Sequence, residues 1–351
     1  MQDLESKVQQ LLKIYSIPLR EEWEGCKDST TYSVYRYWRV LNLLSQEDLE
    51  KVMKERSIGS NTNFINFFKM MDYHFDSKIY KNGLVADIGS GFGFITFWLI
   101  LSGAKKVYSI GDPERIQFIE KLYKRAVAEG LVLDKKLVLK PEFVKVGDET
   151  LSDKIAGGSL DLILLNDTLE HITPRIFPFL VKAASNNLKK GGYFISRQQN
   201  TDSPKMFQRL SKMWDESERT TYINQRLELI QAKVTDIDEK AALELAKKTR
   251  GLDSVDFYAA IDNYLKDGTF PSHDLNIPSI DVIIDVPYEG NTSIERICGA
   301  FKKYNFQKVS VYPDLLSSRR SKLFQPLAKL LPSFFLKFQI WDQTTVFVMR
   351  K

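Results

Sequence analysis

Between about residue 83 and residue 198 the chain alternates short apolar runs with segments of helical periodicity. The runs LVADI, KVYSI, EFVKV, LDLILL and GYFIS predict strands, and Phe92–Gly103, Pro113–Glu129 and Pro174–Asn187 predict helices. Strand and helix in alternation imply a parallel sheet covered on both faces. The runs are apolar at nearly every position, as strands buried on both faces are. Residues 291–351 return to this pattern: Ser293–Tyr304 reads as a helix, Gln307–Tyr312 and Thr345–Arg350 as strands.

Three stretches depart from it. Residues 1–82 read as helical and hold the aromatic segments TYSVYRYWRVLNLL and NFINFFKMMDYHF. Aromatics at this density need a surface to pack on, so these helices either dock on the next domain or form a lid over a ligand. Residues 199–290 are dominated by polar helix formers, as in DIDEKAALELAKK, and end in the proline-punctuated PSHDLNIPSIDVIIDVP. They read as a mainly helical insertion that shapes the substrate region. In SRRSKLFQPLAKLLPSFFLKFQIW, Leu323, Phe324, Leu327, Leu330 and Leu331 share one helical face among basic residues. A helix packed on the sheet is the favoured reading; the other is a segment, 319–341, resting on an anionic membrane surface. Four parts follow: an N-terminal helical region (1–82), an α/β core (83–198), an insertion (199–290) and a stretch completing the core (291–351).

Composition narrows the picture without redirecting it. Among 351 residues, 50 basic and 45 acidic side chains leave a formal charge of +5. That excess permits an anionic partner but does not call for one, and no charge block reads as a nucleic-acid tail. Cys26 and Cys298 lie outside any metal or disulfide spacing, and His74, His171 and His273 are scattered. No metal is expected. The first residues carry acids and glutamines where a signal peptide would carry an apolar core. The longest nearly unbroken apolar stretch, Phe92–Ala104, would cover only roughly 20 Å of a hydrocarbon layer about 30 Å thick. A cytoplasmic protein is the simplest expectation.

The segment Val85–Gly93, VADIGSGFG, carries the chemistry. Gly89, Gly91 and Gly93 let the backbone turn sharply and approach a ligand, with Ser90 between the first two. The free N–H groups of the following helix point into the same crevice, which in an open parallel sheet is where ligands bind. A strand before and a helix after the turn supply the context such a motif needs. Asp87 precedes the first glycine. An acid there would repel a pyrophosphate and suits a ligand with an ammonium group, which points away from a nicotinamide dehydrogenase.

VADIGSGFG resembles the first motif of the class I S-adenosylmethionine-dependent methyltransferases. The resemblance implies a Rossmann-like, doubly wound, mostly parallel seven-stranded sheet, with Asp87 holding the methionine ammonium of S-adenosyl-L-methionine directly or through water. KVYSIGDPE resembles that family's second strand, whose terminal acid meets the ribose hydroxyls. Gly111 occupies the usual acid position here, so Asp112 becomes the ribose candidate and Glu114 the second. Asp112 before Pro113 is also a common helix cap. VKVGDETL resembles the strand end whose acid meets the adenine amino group, naming Asp148 and the Glu149 backbone; a solvated loop acid is the plainer account of Asp148. LDLILLNDTLEHI resembles the fourth strand and its exit, which would set Asn166 and Asp167 beside the transferring methyl.

The methyl of a sulfonium is already activated, so positioning a nucleophile in line is the main task. For a hydroxyl acceptor His171 is the candidate base, with Glu170 orienting it or binding substrate; both also fit as pocket wall. No NPPY follows the fourth strand and no cysteine lies near these motifs, which disfavours methylation of nucleobase amines and a covalent cytosine mechanism. The expectation is O-methylation of a small-molecule, glycan or lipid-linked acceptor. N- or C-methylation of a small molecule, or a silent cofactor-binding domain, are the alternatives.

Overall fold

The computed structural model describes residues 77–314 apart from 92, 135, 273, 274, 276, 283–285 and 288–291, together with 6, 7, 10, 11, 13, 14, 326, 330, 331 and 344–351. Strands β1 (Leu84–Ile88), β2 (Lys106–Ile110), β3 (Leu137–Lys140), β4 (Leu160–Asn166) and β5 (Leu188–Gln199) pair in parallel. A two-stranded ribbon, β6 (Ile280–Asp281) with β7 (Val286–Pro287), stands apart. Strands β8 (Gln307–Asp314) and β9 (Thr344–Arg350) complete a seven-stranded sheet of order β3-β2-β1-β4-β5-β9-β8, in which β9 is antiparallel to both neighbours. This is the covered α/β sheet the apolar runs predict, in the Rossmann-like arrangement the resemblance implies, mostly parallel with one antiparallel hairpin at its edge.

Helices α1 (Phe94–Leu101) and α2 (Pro113–Ala128) cover one face, and α3 (Phe177–Asn187) and α8 (Ile294–Lys302) the other. Strand β4 shows why its sequence reads as unbroken apolar: Leu162 and Leu164 enter the first core, Leu160, Ile163 and Leu165 the second. Each such side chain contributes roughly 1.5–3 kcal/mol on burial. Its one acid, Asp161, accepts from Leu84 N at 2.7 Å and pairs with Lys189, tying the strand starts together. Leu11 and Ile14 are helical and fully buried in the first core, and Lys7 Nζ lies 5.3 Å from the Trp98 ring centre. The two aromatic segments expected as helices between residues 31 and 75 fall outside the described residues.

One strand assignment needs correction. EFVKV does not form a strand; Leu137–Lys140, just before it, pairs with β2. The loop that follows leaves Phe143 and Val146 exposed and runs along α3, where Asn187 accepts from Leu151 N and donates to Ile155 O.

The insertion is helical, as its composition predicts. It holds α4 (Pro204–Ser217), a π turn at Glu218–Tyr222, α5 (Ile223–Lys233), α6 (Glu239–Lys248) and α7 (Ser254–Asp267), with its own small core around Ile230, Leu245 and Phe257. Arg175, in the connection between β4 and α3, pairs with Asp253 at 3.1 Å and Asp256 at 2.9 Å at the start of α7. Of the basic apolar stretch, Leu330 and Leu331 are exposed; the rest of 319–341, apart from Pro326, lies outside the described residues. Among the described residues no helix is long and apolar enough to cross a membrane.

Candidate functional site

The order of strands reverses between β1 and β4, so the helices leaving these two strands go to opposite faces and a crevice opens at their carboxyl ends. The glycine turn lies there. Gly89 N and Ser90 N both donate to Ile110 O, at 2.8 and 3.2 Å, which pins the turn to the end of β2. Gly89 has φ 73°, and a Cβ there would stand 2.2 Å from Thr168 Oγ1. Only glycine permits this contact between the turn and the exit of β4. Gly91 differs: φ is 53°, but the space around it is open. Gly93 caps α1 without a side-chain hydrogen bond, so the first-turn N–H groups have no side-chain cap.

Asp87 is 1% exposed. Its Oδ2 accepts from Thr96 Oγ1 on α1 at 2.6 Å, and Thr96 also reaches Ser109 Oγ at 3.2 Å. Burial pushes the Asp87 carboxyl up to about 7, against the hydrogen bonds from Thr96. Asp112 Oδ1 accepts from Arg115 N at 3.2 Å in the first turn of α2, the capping geometry its place before proline predicts. At Gly111 a Cβ would approach Ser90 Oγ at 3.1 Å, a tight contact that the serine side chain would have to yield to.

The exit of β4 is built around Arg197 at the carboxyl end of β5. Its Nη1 lies 3.1 and 2.8 Å from the two carboxylate oxygens of Asp167, and its Nε donates to Asp314 Oδ2 on β8 at 2.8 Å. Burial opposes the guanidinium charge, but Asp167, Asp314 and Glu170 together hold its pKa above the ordinary value. Asp167 takes a left-handed backbone, φ 48°, and its N–H donates to Arg197 O at 2.7 Å. Asn166 Nδ2 donates to Asp167 Oδ2 at 2.9 Å. Because a carboxylate only accepts, this fixes the amide orientation and leaves Asn166 Oδ1 buried without a hydrogen-bond partner.

The single turn Leu169–His171 follows, with Glu170 buried and His171 exposed. Asp148 and Glu149 lie in the loop after β3. Asp148 Oδ2 accepts from Lys145 N at 2.7 Å. The Glu149 carboxylate meets Lys182 Nζ at 2.7 Å and its carbonyl accepts from Asn186, so Glu149 is held against α3. That hydrogen bond and the charge of Lys182 pull the Glu149 carboxyl below its usual range. Among the described residues no group of three or more His, Cys, Asp or Glu is arranged to hold a metal. The sheet thus brings together Asp87, the glycine turn, Asp112, Asn166 and Asp167, while the Glu149 carboxylate turns to Lys182 on α3. Thr96, Arg197 and Asp314 belong to the same region. Their sequence signal is slight: an arginine closing the apolar run of β5 and an acid closing that of β8.

No family model matches the chain, and no curated protein matches it in sequence. Some solved structures are similar to the chain at low identity. An S-adenosylmethionine-dependent methyltransferase from Mesorhizobium loti is 12% identical, with a TM-score of 0.42 over 84% of this chain and 100% of that one. Geranyl diphosphate C-methyltransferase from Streptomyces coelicolor A3(2), solved with Mg2+, geranyl diphosphate and S-adenosyl-L-homocysteine, is 10% identical, with a TM-score of 0.44 over 87% of this chain and 86% of that one.

Proposed function

We propose that the chain is a methyltransferase that uses S-adenosyl-L-methionine to methylate a small-molecule or glycan acceptor. The observation that carries this reading is the hydrogen-bonding character of the crevice between β1 and β4. Beside the glycine turn stand the half-exposed carboxylate of Asp167 and the unpartnered Oδ1 of Asn166, both of which only accept. A pair of acceptors suits an ammonium, and the carboxyl of Asp87, poised near neutrality by burial, adds charge where a cation would stabilise it.

In this reading Asn166, Asp167 and Asp87 serve the methionine ammonium, Asp87 acting from beneath through Thr96 or water. The backbone of Gly89, Ser90, Gly91 and Gly93 follows the amino-acid and ribose portions. Asp112 meets the ribose hydroxyls with one carboxylate oxygen while the other caps α2. Asp148 is the adenine-side candidate, with the Glu149 backbone beside it; the Glu149 carboxylate is paired with Lys182. The cofactor supplies an electrophilic methyl. The chain's task is to hold the acceptor in line with it, which by itself can lower a barrier by several kcal/mol. For a hydroxyl acceptor, His171 takes the proton at a ring nitrogen, and buried Glu170 stiffens the turn that carries it.

Calorimetry with S-adenosylmethionine, S-adenosylhomocysteine and NAD tests the reading. Binding of the first two without the third is expected. Failure to bind either sulfur compound rejects it.

A further inference from the structure

The insertion leaves the sheet at the carboxyl end of β5 and returns to the same place, where Thr292 N donates to Thr201 Oγ1 at 3.1 Å and the Thr292 hydroxyl donates to Gln199 O. Between these points the β6–β7 ribbon is built into the insertion's own body. Ser279 Oγ, just before β6, donates at 2.6 Å to Glu218 Oε2 in the π turn. Asp281 Oδ1 on β6 accepts from Gln225 Nε2 on α5 at 3.0 Å. Val282 is buried in the small core with Ile230, Leu245 and Phe257. Two side-chain bonds and a core residue therefore make the ribbon and the helices one packed unit.

This unit meets the β4 exit on both sides of His171. The backbone of β7 passes beside the single turn Leu169–His171. Four residues beyond His171, Arg175 reaches α7. Its Nε lies 3.1 Å from Asp253 Oδ2 and its Nη2 2.9 Å from Asp256 Oδ1. Asp253 is itself fixed, because its Oδ1 accepts from Asp256 N at 3.0 Å as the cap of α7. Phe257, the next residue of that helix, is fully buried in the same core as Val282. The path closes: from the turn to β7, through the insertion core to α7, and by Arg175 back to the connection that carries the turn. A guanidinium that spans two carboxylates, one of them 9% exposed, holds geometry better than an exposed one-to-one pair. Reacting groups have to be held closely in place for catalysis, and residues outside the first contacts supply that support.

We propose that Arg175 is a positioning residue. Its clamp on Asp253 and Asp256 locks the insertion against the β4 exit and so sets where His171 stands relative to the acceptor. The assignment rests on the methyltransferase reading, in which His171 takes the acceptor's proton.

Hydrogen exchange on the full chain tests the clamp, with Arg175→Gln, Arg175→Lys and Asp256→Asn as variants. In Arg175→Gln, exchange at Leu169–His171 and Ile280–Val282 is expected to rise roughly tenfold, as for a local opening, while α6 and β4 keep the parent rates. Arg175→Lys should recover part of the protection. Asp256→Asn added to Arg175→Gln should open these segments no further, as for two ends of one interaction. The ring NMR signals of His171, assigned with His171→Ala, read its position directly. A shifted or broadened signal in Arg175→Gln, restored in Arg175→Lys, is expected. Parent exchange rates at both segments, a rise spread evenly through α6 and β4, or an unmoved His171 signal each overturns the proposal. Calorimetry of S-adenosylhomocysteine on the parent reports the cofactor site separately. Failure to bind there rejects the methyltransferase reading, while exchange and the ring signal still judge the clamp.

Discussion

Arg197 holds both carboxylate oxygens of Asp167 with a single nitrogen, at 3.1 and 2.8 Å, while Asp167 keeps a left-handed backbone at φ 48°. A non-glycine residue in that region costs free energy, of order 1–3 kcal/mol. The ion pair and the Asp167 N–H bond to Arg197 O hold the conformation in place. Arg197→Met removes the grip and also the guanidinium from which Asp314, 1% exposed, accepts. Breaking a buried pair from one side costs about 3–5 kcal/mol. Urea unfolding is expected to show a loss of that size, with Arg197→Lys recovering part of it. An Arg197→Met protein as stable as the parent would show that the triad holds nothing.

Burial of Asp87 makes stability depend on pH and, on the proposed reading, cofactor binding as well. Folded, its carboxyl keeps a proton to about pH 7; at the ordinary carboxylate value of 3.8 it would lose it far earlier. The folded state thus binds the extra proton between these values. On this group's account stability is greatest below pH 3.8, declines as pH rises towards 7 and is level above. Subtracting the Asp87→Asn curve from that of the parent isolates this slope. A cation nearby favours the ionised form, so cofactor affinity should climb with pH up to about 7, with proton release visible as a buffer-dependent binding heat. Identical pH slopes in parent and variant would remove Asp87 from this role.

Two glycines of one turn should respond differently to alanine. In Gly89→Ala the new methyl would overlap the Thr168 side chain in addition to the strain of a positive φ, so loss of fold stability and of cofactor binding together is expected. In Gly91→Ala only the strain applies, about 1–3 kcal/mol, because the surrounding space is open. Weakened cofactor binding with a modest fall in Tm is expected there. Equal melting temperatures for the two variants would contradict the geometry.

His171→Ala should leave Tm and cofactor affinity unchanged, since the side chain is exposed on a single turn. With an accepted hydroxyl substrate, turnover should fall about 100- to 10,000-fold. Unchanged turnover would assign the proton to another group or to water.

Much of this was legible in the sequence because burial on two faces leaves its mark: β1, β2, β4 and β9 are apolar runs buried along almost their whole length. The misread strand shows the limit. LVLK and EFVKV are both short, apolar and basic-flanked, and only pairing with β2 decides between them. Composition carries no register. The site divides in the same way. The glycine turn is contiguous and therefore visible. The Arg197–Asp314 pair spans 117 positions and the Asp87–Thr96 bond crosses from strand to helix, so no spacing along the chain announces either.

That separation of 117 positions also has a temporal meaning. At about 5–20 residues per second of synthesis, Arg197 waits roughly 6–23 s before Asp314 is made. Until β8 joins the sheet, the guanidinium that steadies the β4 exit has only one of its two partners. A nascent chain that has completed β1 to β5 already owns every glycine of the turn, yet its crevice is not electrostatically finished. On the proposed reading, an intermediate that has not yet added β8 should hold cofactor more weakly than the finished fold.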